Sequence, residues 1–234
     1  MDIFTTYIYQ PFFNVLVWLY WAVEKTSGIP DMGIAVILFA VAVRLILLPL
    51  DLASERSDEE KLQIAQKIKD LKKEFVDNPV RFKSETRKIM RQSPGAVISE
   101  IVNTIIQLII ILMLYRIFKT GLEGDDMHLL YSFMPEINLP INLLFLEKYD
   151  LSQTNATLNI LQSFMIAISE FLNLHFSETK ASRREFLSLV IIFPIVCFLV
   201  FIFLPSGKKV FIITSLAITI VIKLIRHAVF LLYK

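Results

Sequence analysis

Long apolar runs fill most of the chain, and one stretch inverts that pattern. Near the start, Phe12, Leu16, Leu19 and Val23 recur at helical spacing, with Tyr7, Tyr9, Trp18, Tyr20 and Trp21 around them. The strongly apolar part, 12–23, falls short of the roughly 20 residues that a span needs. Trp and Tyr favour the headgroup level, and Pro11 suits a first helical turn. Residues 1–27 therefore read as an interfacial amphipathic helix, with a short tilted span as the alternative. Asp2 and the lack of a basic stretch ahead make it a poor signal peptide. Gly28, Pro30 and Gly33 break this helix. The run 33–50 is apolar except for Arg44, and Pro49 with Asp51 is expected to end it. Further spans are expected at 97–118, at 156–176 (the least apolar), at 186–204 and, after the Pro205-Ser206-Gly207 turn, at 210–232. Segments 119–155 and 177–185 connect them. The pattern predicts an all-α polytopic membrane protein with five transmembrane helices.

The inverted stretch is 51–96. Ser57 and Glu60 make a capping-box pattern, and Leu62, Ala65, Ile68, Leu71 and Phe75 follow every three or four residues. Asn78-Pro79 can stop one helix and start another, which would run to about Gln92. A helical hairpin with a thin apolar stripe is expected, mobile relative to the spans. Its eleven Lys and Arg are balanced by nine acids. Mixed signs favour a solvated surface over an RNA-binding patch, and no direct DNA binding is expected.

Charge sets the orientation. Eleven Lys and Arg lie in 51–96, three in the loop 177–185 and three near the C-terminus, against six on the other side. The basic side is expected to be cytoplasmic. The N-terminus is then extracytoplasmic and the C-terminus cytoplasmic, with the hairpin in the cytoplasm.

Composition narrows the chemistry. The chain has 55% hydrophobic and 20% charged residues, and its net charge is +2. The single cysteine, Cys197, sits in an apolar run, so no disulfide or redox pair can form within the chain. His128, His175 and His227 lack metal-ligand spacing. No phosphate-binding loop or catalytic motif occurs. No cofactor, metal or enzymatic activity is expected.

The exceptions inside the spans carry the candidate site. An Arg facing lipid at mid-span costs about 2.5–3.5 kcal/mol on insertion scales, so Arg44 is expected to face a bundle interior or wet cavity. Snorkelling to the nearby interface is the plainer reading. Polar company at similar depth tips the balance: Asn103 and Gln107 in the second span, Gln162, Ser163, Glu170 and Asn173 in the third. A shared hydrated groove would satisfy them, and so would a sealed interhelical hydrogen-bond network.

These residues also carry a family resemblance. Pro11-Phe-Phe-Asn-Val-Leu-Val-Trp-Leu-Tyr, Gly33-Ile-Ala-Val-Ile-Leu and Val43-Arg-Leu-Ile-Leu-Leu-Pro-Leu are followed, in order, by the charged hairpin, Ile106-Gln-Leu, Leu114-Tyr-Arg-Ile-Phe, Tyr149-Asp-Leu-Ser and Phe203-Leu-Pro-Ser-Gly. Together they resemble the YidC family of membrane protein insertases over essentially the whole chain. The resemblance implies a groove open to the cytoplasm and lipid but closed outside. Arg44 would attract acidic residues in translocated client segments, and Gln107 would line the groove. It also implies nascent membrane-protein clients, a bacterial inner-membrane location, and ribosome, targeting-machinery or Sec translocon contacts. Three places depart from the family pattern. Ser93-Pro-Gly-Ala-Val-Ile-Ser-Glu enters the second span, Leu108 stands where a Pro is usual, and Glu170 could partly neutralise Arg44. Neither a lipoprotein signal nor a large outer domain is expected.

Function is thus expected to be insertase or chaperone work through a groove formed by Arg44, Asn103, Gln107, Gln162 and Glu170. A small transporter or channel, or an assembly factor with a dry Arg44–Glu170 interface, remains the alternative.

Overall fold

A computed structural model describes residues 4–75, 78–92, 94–119, 121–123, 125–176 and 182–232. Almost all of it is helical. A π-helical turn, Thr5–Tyr9, leads into α1 (Gln10–Ser27). Then come α2 (Met32–Glu74), α3 (Pro79–Gln92), α4 (Pro94–Lys119), α5 (Ala156–Phe176) and α6 (Arg183–Phe186). A second π-helical stretch, Leu187–Ile192, joins α6 to α7 (Phe193–Phe201), and α8 is Ser206–Leu232. The chain forms two compact units, Met1–Arg44 with Ile111–Lys234, and Leu45–Ile110.

In the larger unit, α1 ends where Gly28 adopts φ 72° and its N–H bonds Glu24 O at 2.9 Å. That left-handed conformation suits glycine. Asp31 opens α2, its Oδ1 accepting from the N–H of Gly33 (2.7 Å) and Ile34 (3.2 Å). The fully buried apolar residues concentrate toward one end of the helices. They include Phe13 and Leu16 of α1, Val36 and Phe39 of α2, Leu114 and Phe118 of α4, and Val210 and Phe211 of α8. Gly207 permits this closeness: a Cβ there would overlap the Phe118 ring. The opposite faces are left for lipid, and α7 exposes Ile195, Val196, Leu199 and Val200.

Residues 121–155 cap that packed end with two short 3₁₀ turns and a two-stranded ribbon, β1 (Leu144–Phe145) and β2 (Tyr149–Asp150). The strands are antiparallel, with Phe145 opposite Tyr149. α1 binds the cap through its polar side chains. Asn14 Nδ2 donates to Leu129 O at 3.0 Å, and Asn14 Oδ1 accepts from Tyr131 N at 2.8 Å. The Tyr20 hydroxyl accepts from Asn142 N at 2.9 Å. Trp18 of α1 and Tyr7 of the π-helical turn are 48% and 75% exposed.

Four helices are long and apolar enough to cross a membrane: Met32–Pro49, Ala156–Phe176, Arg183–Phe201 and Ser206–Val229. Only described residues bear on that number. α4 covers the run expected as the second span, and many of its side chains lie outside the described residues.

The smaller unit holds the remainder of α2, α3 and the start of α4. Here the structure differs from the sequence expectation. Pro49 and Asp51 do not end the helix, which continues unbroken from Met32 to Glu74 with Pro49 inside. Proline removes one N–H and crowds one carbonyl, a local cost that long apolar helices absorb. The Ser57–Glu60 pair consequently lies within a helix instead of starting one, and its side chains are outside the described residues. Asn78 does cap α3, its Oδ1 accepting from Arg81 N at 3.2 Å.

Candidate functional site

Inside the larger unit, polar side chains collect on one face of α5 and the adjoining face of α8. α5 packs against both α8 and α7. Asn159, Gln162, Ser163, Ile166 and Ser169 are buried at helical spacing. On α8, Ser215, Thr219 and Lys223 repeat every fourth residue, so they share a face.

Arg44 sits five residues before Pro49, where its span window closes. Its Nη2 donates to the Thr219 hydroxyl. Thr219 in turn donates to Ser215 O at 2.9 Å. One helical turn along α8, Lys223 Nζ donates to Ser169 Oγ at 3.2 Å. Glu170 Oε2 accepts from Asn173 at 3.3 Å. Arg44 and Lys223 thus bond along one polar seam, Arg44 to Thr219 of α8 and Lys223, one turn on, to Ser169 of α5, next to Glu170 in sequence.

Further along α5 the polar groups lack partners. Gln162 is 0% exposed, and neither its Nε2 nor its Oε1 has a hydrogen-bond partner among the described residues. The Ser163 hydroxyl is likewise enclosed and unpartnered. Asn159 donates through Nδ2 to Phe198 O at 2.9 Å, while its Oδ1 has no partner. Each enclosed and unbonded polar group costs about 1–3 kcal/mol. Several on one face mark a place where something polar enters, water first of all. A cleft of about 370 Å³ opens beside this face, lined by Ile160, Ser163 and Phe164 of α5 and by Val190, Pro194 and Phe198.

Of the five residues expected from sequence, the larger unit holds Arg44, Gln162 and Glu170. Arg44 bonds Thr219, one turn from Lys223, and Lys223 bonds Ser169, the residue before Glu170. Gln162 lies eight residues from Glu170, about two turns up the same helix. Asn103 and Gln107 belong to α4 in the smaller unit, and their side chains lie outside the described residues. Sequence reasoning missed Lys223, Thr219, Ser169 and Asn159. Lys223 was counted as a flanking charge at the C-terminal end, yet it falls within the Ser206–Val229 span. The fourfold spacing of Ser215, Thr219 and Lys223 was the available signal.

The described residues contain no group of three or more metal-ligating side chains.

Comparison with known proteins bears on the fold and the family. The fold resembles the crystal structure of an active YidC insertase with its first transmembrane domain resolved. That match has TM-score 0.60 and 23% identity, and covers 92% of this chain and 46% of the other. Among curated relatives, the membrane protein insertase YidC of Prosthecochloris aestuarii is 22% identical over 205 residues. That of Chlorobium limicola is 20% identical over 204 residues. Each alignment covers 87% of this chain and 33% of the relative, so the chain spans about a third of their length. The family model described as "60Kd inner membrane protein" matches residues 22–230. The chain belongs to that family, the YidC-type membrane proteins of the bacterial inner membrane.

Proposed function

We propose that this protein is a membrane protein insertase whose α5–α8 polar face receives the hydrophilic part of a client. The single observation that carries the reading is the set of enclosed, unpartnered polar atoms on Asn159, Gln162 and Ser163. They lie along α5 from the Arg44, Lys223 and Glu170 cluster. Water or a client's polar backbone would satisfy them, so a short hydrophilic segment finds partners at a depth where lipid offers none. Arg44 and Lys223 supply counter-charge for acidic residues in that segment. The driving energy is the client's own: each Leu, Ile, Phe or Val at a helix centre contributes about 0.3–0.6 kcal/mol on insertion. No bond is made or broken, so the protein works as a chaperone of insertion and not as an enzyme.

In this reading α4 is a fifth span, residues 51–96 form a cytoplasmic hairpin, and the cap 119–155 and N-terminus are extracytoplasmic. α1 lies along the membrane interface. The clients are nascent membrane proteins, with ribosome, targeting machinery or Sec translocon as further partners. Asn103 and Gln107 are additional groove residues.

The test is depletion rescue: a strain lacking its insertase receives this chain, then Arg44→Ala and Lys223→Gln. Rescue by the unmutated chain and selective failure of the variants on acidic clients supports the reading. Failure of the well-expressed unmutated chain refutes it.

A second reading has some support, because Arg44 and Lys223 already bond Thr219 and Ser169. The face could then be a dry structural interface of an assembly factor. Gln162→Cys separates the two: rapid labelling by a water-borne thiol reagent requires the hydrated face, and protection requires the dry one.

A further inference from the structure

At the capped end of the bundle, α4, α7 and α8 converge on Tyr115. The Lys208 ammonium lies 5.9 Å from the centre of the Tyr115 ring and 5.9 Å from that of Phe201. The Lys119 ammonium lies 5.3 Å from the same Tyr115 ring. Two cations thus share one ring, each within the roughly 6 Å range of a cation–π contact.

The surroundings make this arrangement costly. Lys208 is only 4% exposed, and among the described residues it has no hydrogen bond or ion pair. Its ammonium is nevertheless not among the fully enclosed polar atoms, so the tip reaches a surface. Ring faces offset only part of the desolvation of an ammonium. Lys208 also stands in the first turn of α8, where the helix dipole opposes a cation. The neighbouring charges do not help. Lys209, 1% exposed, is itself a cation and donates to Asn155 O at 3.3 Å. Lysines that are nine-tenths buried are usually paired, and the missing partner here is an anion.

We propose that Lys208 and Lys119, both held at the Tyr115 ring of α4, form a phosphate site for the headgroup of an anionic phospholipid. The position fits that ligand. The site lies where the Ser206–Val229 span begins, so a lipid phosphate would reach it while the acyl chains lie on the exposed apolar face of α7. Tyr and Phe beside Lys is the composition of a headgroup-level belt. The site requires only that the chain spans a membrane, and stands or falls independently of insertase activity.

The test uses the full chain in neutral phosphatidylcholine nanodiscs and in nanodiscs carrying one-third phosphatidylglycerol, read by thermal unfolding. Native mass spectrometry of lipid retention provides the second measurement. Phosphatidylglycerol is expected to stabilise the unmutated chain and to remain bound to it. Lys208→Gln should weaken retention about fivefold to tenfold, Lys119→Gln less, and Lys208→Arg should preserve it. Lys148→Gln, an exposed cationic residue of the cap, is the control and should change nothing. Inorganic phosphate added in detergent identifies the source. If it reproduces the Lys208-dependent stabilisation, the phosphate chemistry stands with a free anion as ligand. The proposal is overturned if Lys208→Gln, shown folded by its unfolding transition, retains phosphatidylglycerol like the unmutated chain.

Discussion

The cap and the α5 face are both rich in buried polar groups, and they treat them in opposite ways. Among the described residues, no enclosed polar side-chain atom of the cap lacks a partner. Tyr9 donates to Asp126 Oδ2 at 2.5 Å, and Arg116 bonds Asp126 Oδ1 at 3.1 Å. Arg116 also bonds Thr5 at 3.2 Å and lies 4.1 Å over the Tyr9 ring. On α5, Gln162 is as fully buried, and its side chain bonds nothing among the described residues. Satisfied networks rigidify, and unsatisfied ones wait for a ligand. The difference separates a structural lid from a working surface.

Mutations can break that comparison, and they should act with opposite signs. Asp126→Ala leaves the buried Tyr9 hydroxyl without its acceptor and removes the Asp126 ion pair of Arg116, and should cost about 3 kcal/mol of stability, measured by denaturant unfolding in detergent. Tyr9→Phe removes one charge-assisted hydrogen bond and should cost about 2 kcal/mol. It also has a pH signature. Burial first, then the hydrogen bond to Asp126 and its charge, raise the Tyr9 hydroxyl pKa well above its ordinary value of 10.0. A group whose folded pKa is raised contributes its stability below the unfolded pKa and loses it as pH climbs beyond. The cap should therefore be insensitive to Tyr9 ionisation at neutral pH and weaken above about pH 10. Tyr9→Phe should flatten that alkaline limb. Gln162→Leu is the smallest effect and the most telling. Replacing an unpartnered polar group by an apolar one of similar size should be neutral, or stabilise by up to about 1 kcal/mol, while impairing function. A loss of several kcal/mol would mean that Gln162 belongs to a structural network like that of the cap.

The two regions were unequally legible in the sequence. Apolar runs mark the span helices, because a membrane needs about 20 apolar residues in a row whatever their order. Arg44 was conspicuous because it interrupts one. The cap clamp was invisible, since Tyr9 and Asp126 lie 117 residues apart. Nothing local marks such a pair. Pro49 misled for the opposite reason. It is a strong local signal for a helix end, yet the continuous hydrogen bonding of α2 overrides it. Lys223 was misread because a Lys nine residues before the end of α8 looks like an interfacial flank. Only the packing of α8 on α5 reveals that it meets Ser169.

The most direct measurement is insertion into proteoliposomes containing the purified chain, using two clients that differ only in an acidic or a neutral translocated tail. The unmutated chain should insert both. Arg44→Ala should lose the acidic client about tenfold, a difference of about 1.4 kcal/mol, and keep the neutral one. Equal insertion of both clients by Arg44→Ala, or no insertion by the unmutated chain, would contradict a counter-charged, hydrated path along α5 and α8.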